Sequence, residues 1–264
     1  MSDVAVQQGT GVYEPSLFGT YSKKIGMWLF LLSDSLTFGA LLYAYTYGRV
    51  STPNWPTPFH SESIRNATLM TAFLLTSSLT MVFAVRAAAV ANAKAQRLWL
   101  LATMACGLGF VVLHGREWSN LIAEGLTLPV FPVPPGHGGS AEFVDVVKTA
   151  PQFAATFFGL TGMHMLHVTL GVVYLGVIAL RKWFIPILLG LWLVAWLGTP
   201  DYSPFHYGAH VLIVAAVAVS IILWLKPKLY DASDVEVAGL YWHFVDLVWM
   251  FIFPLVYLMS TRIV

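Results

Sequence analysis

The sequence predicts an all-α membrane bundle of about seven transmembrane helices, and three observations carry that expectation. Hydrophobic residues make up 58% of the 264 residues and charged residues only 10%, with a mean hydropathy of +0.72. That is far more apolar than a water-soluble domain. The apolar residues gather in runs near the length a helix needs to cross a bilayer, about 20 residues. Lys and Arg collect in alternate connections, the pattern of a polytopic protein that obeys the positive-inside rule.

Residues 1–24 are a polar tail with no apolar run before Ile25. No cleaved signal is expected, and the first span should direct its own insertion. Lys23 and Lys24 precede the first run, Ile25 to Tyr47; a second runs from about Ala67 to Val85. The third run is Leu98 through Leu113, with its helix continuing past Glu117. The fourth, Phe153 to Leu180, is long for a span at a rise of about 1.5 Å per residue and should tilt or project. Trp183 to Gly198 and Gly208 to Leu225 are the fifth and sixth, and Gly239 to Met259 the seventh. The fifth falls just under the usual minimum of about 17 residues and has Pro186 near its start.

Charge sets the orientation. With a cytoplasmic N-terminus and seven crossings, Lys23, Lys24, Arg86, Lys94, Arg97, Arg181, Lys182, Lys226 and Lys228 lie inside, and Arg49, Arg65, Arg116, Lys148 and Arg262 outside. Nine against five satisfies the positive-inside rule and places the C-terminus in the periplasm. Arg181-Lys182 and Lys226 with Lys228 share a side only if the chain crosses an even number of times between them. The fifth segment must therefore span if the sixth does. In the longest connection, Pro129, Pro132, Pro134, Pro135, Gly136, Gly138 and Gly139 rule out a continuous helix. Beyond it, Ala141 to Thr149 is expected to form a short surface helix with Phe143, Val146 and Val147 on its apolar side. Residues 25–264 read as a single membrane domain.

A formal charge of +1 without a basic run excludes nucleic acid as a partner. The single cysteine, Cys106, excludes an intrachain disulfide and a cysteine metal cage.

The informative residues are the polar ones at membrane depth. Asp34 falls near the middle of the first span, where an ionised carboxylate costs at least about 2.5 kcal/mol on insertion scales. Its neighbours Ser33, Ser35 and Thr37 are local donors, although their own backbone competes for them. In the fourth span His164 and His167 lie one turn apart, a spacing open to metal ligation. His243, Asp246, Glu117 and His114 are the candidates for further ligands. Gly159, Gly162 and Gly171 point instead to close helix packing, with the imidazoles as interhelical glue. In the last span His243 and Asp246 share one face. They form either a polar clamp that docks this helix on a neighbour or a proton-relay or metal-ligand position. His206 and His210 read as interfacial and His137 as solvated.

Several of these stretches resemble one family, in the family's order. Tyr241-Trp242-His243-Phe244-Val245-Asp246, followed by Trp249, resembles the signature of the last helix of subunit III of the haem–copper terminal oxidases. Gly26-Met27-Trp28-Leu29-Phe30, then Ser33-Asp34, is similar to that family's Gly-Met-hydrophobic-Leu-Phe, then Ser-Glu. Asn54-Trp55-Pro56 with Pro58 and His60 resembles its Trp-Pro-Pro…His-Pro loop, and Glu117-Trp118 its Glu-Tyr or Glu-Trp pair. Phe157-Phe158-Gly159-Leu160-Thr161-Gly162-Met163-His164-Met165-Leu166-His167-Val168 is close to Phe-Phe-x-x-Thr-Gly-x-His-x-x-His-Val. The resemblance covers roughly residues 24–182 and 236–260. It departs in three places: Asp34 stands where the family has Glu, nothing apolar precedes Ile25 where larger members carry two more helices, and a helix pair at about 183–234 replaces a short loop.

The resemblance implies a non-catalytic subunit of a bacterial inner-membrane oxidase that reduces oxygen to water with cytochrome c or quinol as donor. Haem and copper would sit in partner subunits I and II, with no cofactor or metal in this chain beyond bound phospholipid. It implies that the chain stabilises the catalytic subunit and supports proton uptake and lipid and oxygen access, with membrane lipids and a cytochrome c or another respiratory complex as further partners. Asp34 is then the buried acid linked to lipid or protons, and His114, Glu117, His164, His167, His243 and Asp246 a structural polar network. The rival reading is a self-contained membrane metalloenzyme ligating metal through His164, His167, His243 and a carboxylate. A secondary transporter would need broken helices in symmetric halves, and the sequence shows no such symmetry.

Overall fold

The computed structural model describes residues 22–52, 55–56, 59, 61–123, 126, 151–180 and 231–259. Among these the only regular structure is helical. The helices are α1 (Ser22–Ser51), α2 (Ser61–Ala89), α3 (Ala93–Ala123), α4 (Pro151–Leu180) and α5 (Ala232–Ile252), which runs into a π-helix at Phe253–Leu258. All five are long and apolar enough to cross a membrane. The fifth and sixth predicted spans, the Pro/Gly-rich connection and the Ala141 to Thr149 segment lie outside the described residues, as do His137, His206 and His210.

At their N-termini α3 and α5 extend past their apolar runs, and polar side chains cap both. The α5 N-terminus carries a capping box: the Asp231 carboxyl accepts the Asp234 amide at 3.0 Å, and the Asp234 carboxyl accepts the Asp231 amide at 3.1 Å. Two donors that the first turn leaves orphaned are thereby satisfied. Burial raises the Asp231 carboxyl, but the Ser233 hydroxyl, the Asp234 amide and the Lys23 ammonium outweigh it and hold that group below its ordinary value. Asn92 caps α3 by accepting the Ala95 amide at 3.1 Å. It is reached through a tight turn in which Ala91 takes a left-handed conformation at φ 54°. At the other end of α5, Pro254 has no amide to donate, and the helix widens into a π turn closed by the Met259 amide on the Pro254 carbonyl at 2.9 Å. Pro254 thus modifies the span without breaking it.

α2 and α3 form the most intimate antiparallel pair, α4 and α5 close against them, and α1 lies outermost on α4 and α5. Only 17% of α1's most apolar window is buried, against 50% for α4 and for α5. Most of the α1 surface therefore faces outward, with Trp28, Leu29, Leu32, Leu36, Tyr43 and Tyr47 exposed. Charged contacts hold α1 to α5 at both ends. At the near end Lys23 meets Asp234 at 2.7 Å and Lys24 meets Glu236 at 2.6 Å. At the far end the Arg49 guanidinium donates to the carbonyls of Leu255, at 3.4 Å, and Met259. These clamps make α1 and α5 parallel. α4 runs against both, so α4 ends and α5 begins at the same end of the bundle, as the charge argument on the two Lys/Arg groups requires.

The packing turns on one indole. A Cβ on Gly107 of α3 would lie 2.6 Å from Trp242 Cη2, and one on Gly171 of α4 would lie 3.0 Å from Trp242 Cζ3. Trp242 of α5 therefore fills a slot that only two glycines leave open, and its Nε1 donates to Ser77 of α2 at 2.9 Å. Gly162 likewise admits the Trp118 ring, whereas Gly159 has nothing within 4 Å among the described residues. At the far end Tyr45, Trp55, Phe59, Phe153, Phe157 and Tyr257 form an aromatic layer, with Trp55–Phe153 at 5.4 Å and Phe59–Tyr257 at 4.8 Å between ring centres. That layer tucks Trp55 and Phe59, between α1 and α2, into the bundle.

Candidate functional site

The polar side chains at membrane depth are gathered between helices, at three stations. The first joins α1 to α4. Asp34 Oδ1 lies 3.2 Å from His167 Nε2, and both side chains are 10% exposed. Ser33, Ser35 and Thr37 all give their hydroxyls to carbonyls of their own helix, so the partner of Asp34 comes from another helix. His167 Nδ1 faces the Met163 carbonyl at 2.8 Å. A carbonyl only accepts, so Nδ1 must carry a proton. The Nε2–Oδ1 contact then needs one proton more, and it is neutral overall whether that proton rests on the acid or on the imidazole. A net-neutral pair is the inexpensive way to hold an acid at this depth. Tyr241 of α5 completes the station by donating its hydroxyl to the His167 carbonyl at 3.0 Å.

The second station lies in the core among α2, α3, α4 and α5. His164 Nε2 donates to the Val245 carbonyl at 3.0 Å, which leaves Nδ1 as the unprotonated nitrogen. That nitrogen has no hydrogen-bond partner among the described residues, and neither nitrogen of His114 has one. Both rings are fully buried and held by aromatic neighbours: His114 stacks on Phe110 at 5.4 Å, and Trp249 lies 5.8 Å from His114 and 5.1 Å from His164. Trp249 is itself fixed by its Nε1 bond to Thr71 of α2 at 2.9 Å. One turn beyond His114, Glu117 Oε2 accepts the Asn66 amide of α2 at 3.0 Å, while Oε1 is buried without a partner among the described residues.

The third station joins α2 to α5. His243 Nδ1 is 2.7 Å from the Ser78 hydroxyl, and Asp246 Oδ1, one turn further along α5, is buried without a hydrogen-bond partner among the described residues. His243 is thus tied to a serine of the neighbouring helix, with the Asp246 carboxyl beside it on the same face of α5. Thr80 and Thr103, 2.8 Å apart, continue the α2 polar contacts onto α3.

The predicted residues thus separate: Asp34 joins His167, His114 and His164 share the core with Glu117, and His243, with Asp246 one turn on, stands apart on Ser78. His164, His167 and His243 each point to a different protein acceptor or hydroxyl. Among the described residues no three His, Cys, Asp or Glu side chains are arranged to hold a metal ion. Such an arrangement can dock helices on one another and share protons between neighbouring groups. Sequence reasoning missed Asn66, Thr71, Ser77, Ser78 and Tyr241. The signal for four of these is one polar face of α2, in which Asn66, Thr71, Ser77 and Ser78 recur at helical spacing within an apolar run.

Comparisons with known proteins agree with the motif reading. No family model matches the chain. Cytochrome c oxidase subunit 3 of Alkalihalophilus pseudofirmus is 29% identical over 240 residues, covering 91% of this chain and 88% of its own. Cytochrome bo(3) ubiquinol oxidase subunit 3 of Pseudomonas putida is 25% identical over 237 residues, 90% of this chain and 86% of its own. Quinol oxidase subunit 3 of Bacillus spizizenii is 28% identical over 239 residues, 89% of this chain and 86% of its own.

Proposed function

We propose that this chain, a membrane-spanning relative of subunit 3 of cytochrome c and quinol oxidases along some nine-tenths of its length, serves as subunit III of a haem–copper terminal oxidase. The observation that carries the reading is this end-to-end likeness to relatives named for both kinds of oxidase. In this role the chain carries no redox centre. It stabilises the catalytic subunit and supports proton uptake and the access of lipid and oxygen, while subunits I and II hold haem and copper and meet the electron donor. The setting is a bacterial inner membrane, with the N-terminus cytoplasmic, the C-terminus periplasmic, and the helix pair at about 183–234 inserted into a single membrane domain.

The three polar stations support a scaffold. Each links two or more helices through contacts such as Asp34–His167, Asn66–Glu117 and Ser78–His243. In a bilayer such bonds give helix pairs their register, since apolar faces alone do not distinguish neighbour from lipid. The metalloenzyme alternative needs His164, His167 and His243 to converge, and their bonds to the Val245 carbonyl, the Met163 carbonyl with Asp34, and Ser78 direct them apart. The test is to purify the tagged chain in mild detergent, identify the proteins that accompany it and record an optical spectrum. Haem-bearing oxidase subunits in fixed ratio are expected. A chain that purifies alone from respiring membranes would refute the assignment.

A further inference from the structure

Nine buried side-chain nitrogen and oxygen atoms lack a hydrogen-bond partner among the described residues, and six of them gather at the second station: Glu117 Oε1, the Tyr257 hydroxyl, both ring nitrogens of His114, His164 Nδ1 and Trp118 Nε1. Buried polar groups are almost always bonded, so orphans concentrated in one place call for a shared partner. Their side chains are neighbours. The rings of His164, His114 and Tyr257 lie 5.1, 5.8 and 6.0 Å from Trp249, and Trp118 lies 5.6 Å from His114. Glu117, one turn beyond His114, is within electrostatic reach of Tyr257, and His164 is within reach of His114. None of the six atoms meets another at hydrogen-bond distance. Polar groups that are close without touching have the spacing that a water bridges.

The chemistry of the six atoms selects the occupant. Tyr257 and Trp118 each have a hydrogen to donate, and a neutral imidazole at His114 has one more. Glu117 Oε1, His164 Nδ1 and the second nitrogen of His114 are free to accept. A metal cation serves acceptors alone and repels N–H and O–H groups, while an anion serves donors alone. Water serves both. Each water gives two hydrogen bonds and takes two, so a pair bonded to each other has three of each left, the number that the station leaves open. The frame around them is fixed: the other oxygen of Glu117 is held by Asn66 at 3.0 Å, and His164 Nε2 by the Val245 carbonyl at 3.0 Å.

We propose that the second station is an internal water site, where an ordered pair of waters joins Glu117 and Tyr257 to His114 and His164. The far half of the bundle is then held together by water-mediated bonds among α3, α4 and the π-helix, where direct bonds are missing. The site goes beyond the scaffold role and requires only the described helices, whether or not the chain serves an oxidase.

The experiment is a density map of the chain, purified with the proteins that accompany it, at a resolution that shows ordered water, together with denaturation of parent and variant chains in detergent. Two peaks are expected within about 3.2 Å of these atoms, one shared by Glu117 Oε1 and Tyr257 and the other by His114 and His164 Nδ1. Tyr257→Phe keeps the ring and removes one donor. If water bonds that hydroxyl, the variant loses the first peak, keeps the second, and unfolds about 2–4 °C lower. In a dry interior the same change removes an unsatisfied group, and the midpoint stays or rises. Tyr43→Phe, on the exposed surface of α1, should leave the midpoint unchanged. Absence of both peaks, a Tyr257 hydroxyl bonded directly to Glu117, or a peak about 2.0–2.1 Å from an imidazole nitrogen, as a metal would be, would overturn the proposal. A Tyr257→Phe midpoint at or above the parent's, or an equal fall in Tyr43→Phe, would overturn it too.

Discussion

Substituting Gly107 by Ala tests the slot that seats Trp242. The added Cβ would stand 2.6 Å from Trp242 Cη2 and 2.7 Å from Val172 Cγ2. Carbon atoms prefer about 3.5–4.0 Å, so the indole must retreat by about 1 Å. Its far side is closed by Gly171, where a Cβ would already lie 3.0 Å from the ring, and its Nε1 is tethered to Ser77 at 2.9 Å. Overpacking of this kind costs about 1–3 kcal/mol. Loss of the Ser77 bond adds about 0.5–1.5 kcal/mol. The better helix propensity of Ala returns about 1 kcal/mol. The net expectation is a destabilisation near 2 kcal/mol, read as a shift in the denaturation midpoint of the chain in detergent. Gly159→Ala is the control, because nothing among the described residues lies within 4 Å of its site and only the propensity gain applies. A Gly107→Ala chain as stable as the parent, or a Gly159→Ala chain equally damaged, would refute the reasoning.

Three further outcomes follow from named contacts. Asp34→Ala leaves His167 Nε2 without its partner and should cost about 1–3 kcal/mol, whereas Asp34→Asn keeps a hydrogen-bonding group there and should cost less than half as much; equal losses in the same denaturation assay would show that the Asp34–His167 contact carries no weight. Asp231→Ala removes the α5 cap and should cost about 1 kcal/mol. Because the folded Asp231 carboxyl sits below its unfolded value, the contribution of its charge is fully present above the unfolded pKa and fades as pH falls through the folded one, so parent and variant midpoints should converge in acid. Ala91→Gly relieves a left-handed alanine and should raise stability by up to about 1 kcal/mol, a gain that a midpoint lower than the parent's would contradict.

The spans were legible because apolar length is a one-dimensional property: α1 to α4 each contain the run expected of them, and α5 with its π-helix contains all of the last run but Met259. Helix ends were less so, since hydropathy does not register caps. The run from Gly239 gives no hint that α5 begins at Ala232, although Asp231-x-x-Asp234 spells a capping box. The site residues were legible as anomalies at membrane depth, but their partners were not. Asp34 and His167 each lie near the middle of a span, yet the sequence did not pair them. Nothing in either segment says that α1 packs on α4, because which faces join depends on side-chain fit across helices, as at Gly107 and Trp242. Local spacing puts Asp246 one turn from His243, but it does not reveal that His243 bonds to Ser78 of α2, a contact that keeps α2 and α5 in register.

The central claim is that the buried acids and imidazoles of this chain bind one another and the backbone, and bind no redox centre. It is tested most directly by separating the chain from the proteins that accompany it, keeping it folded in detergent, and determining its metal and haem content per polypeptide. The account predicts haem and copper with the partner polypeptides and less than one-tenth equivalent of either with this chain. One equivalent of metal or haem retained by the separated chain, and lost on replacing His164 or His167, would contradict it.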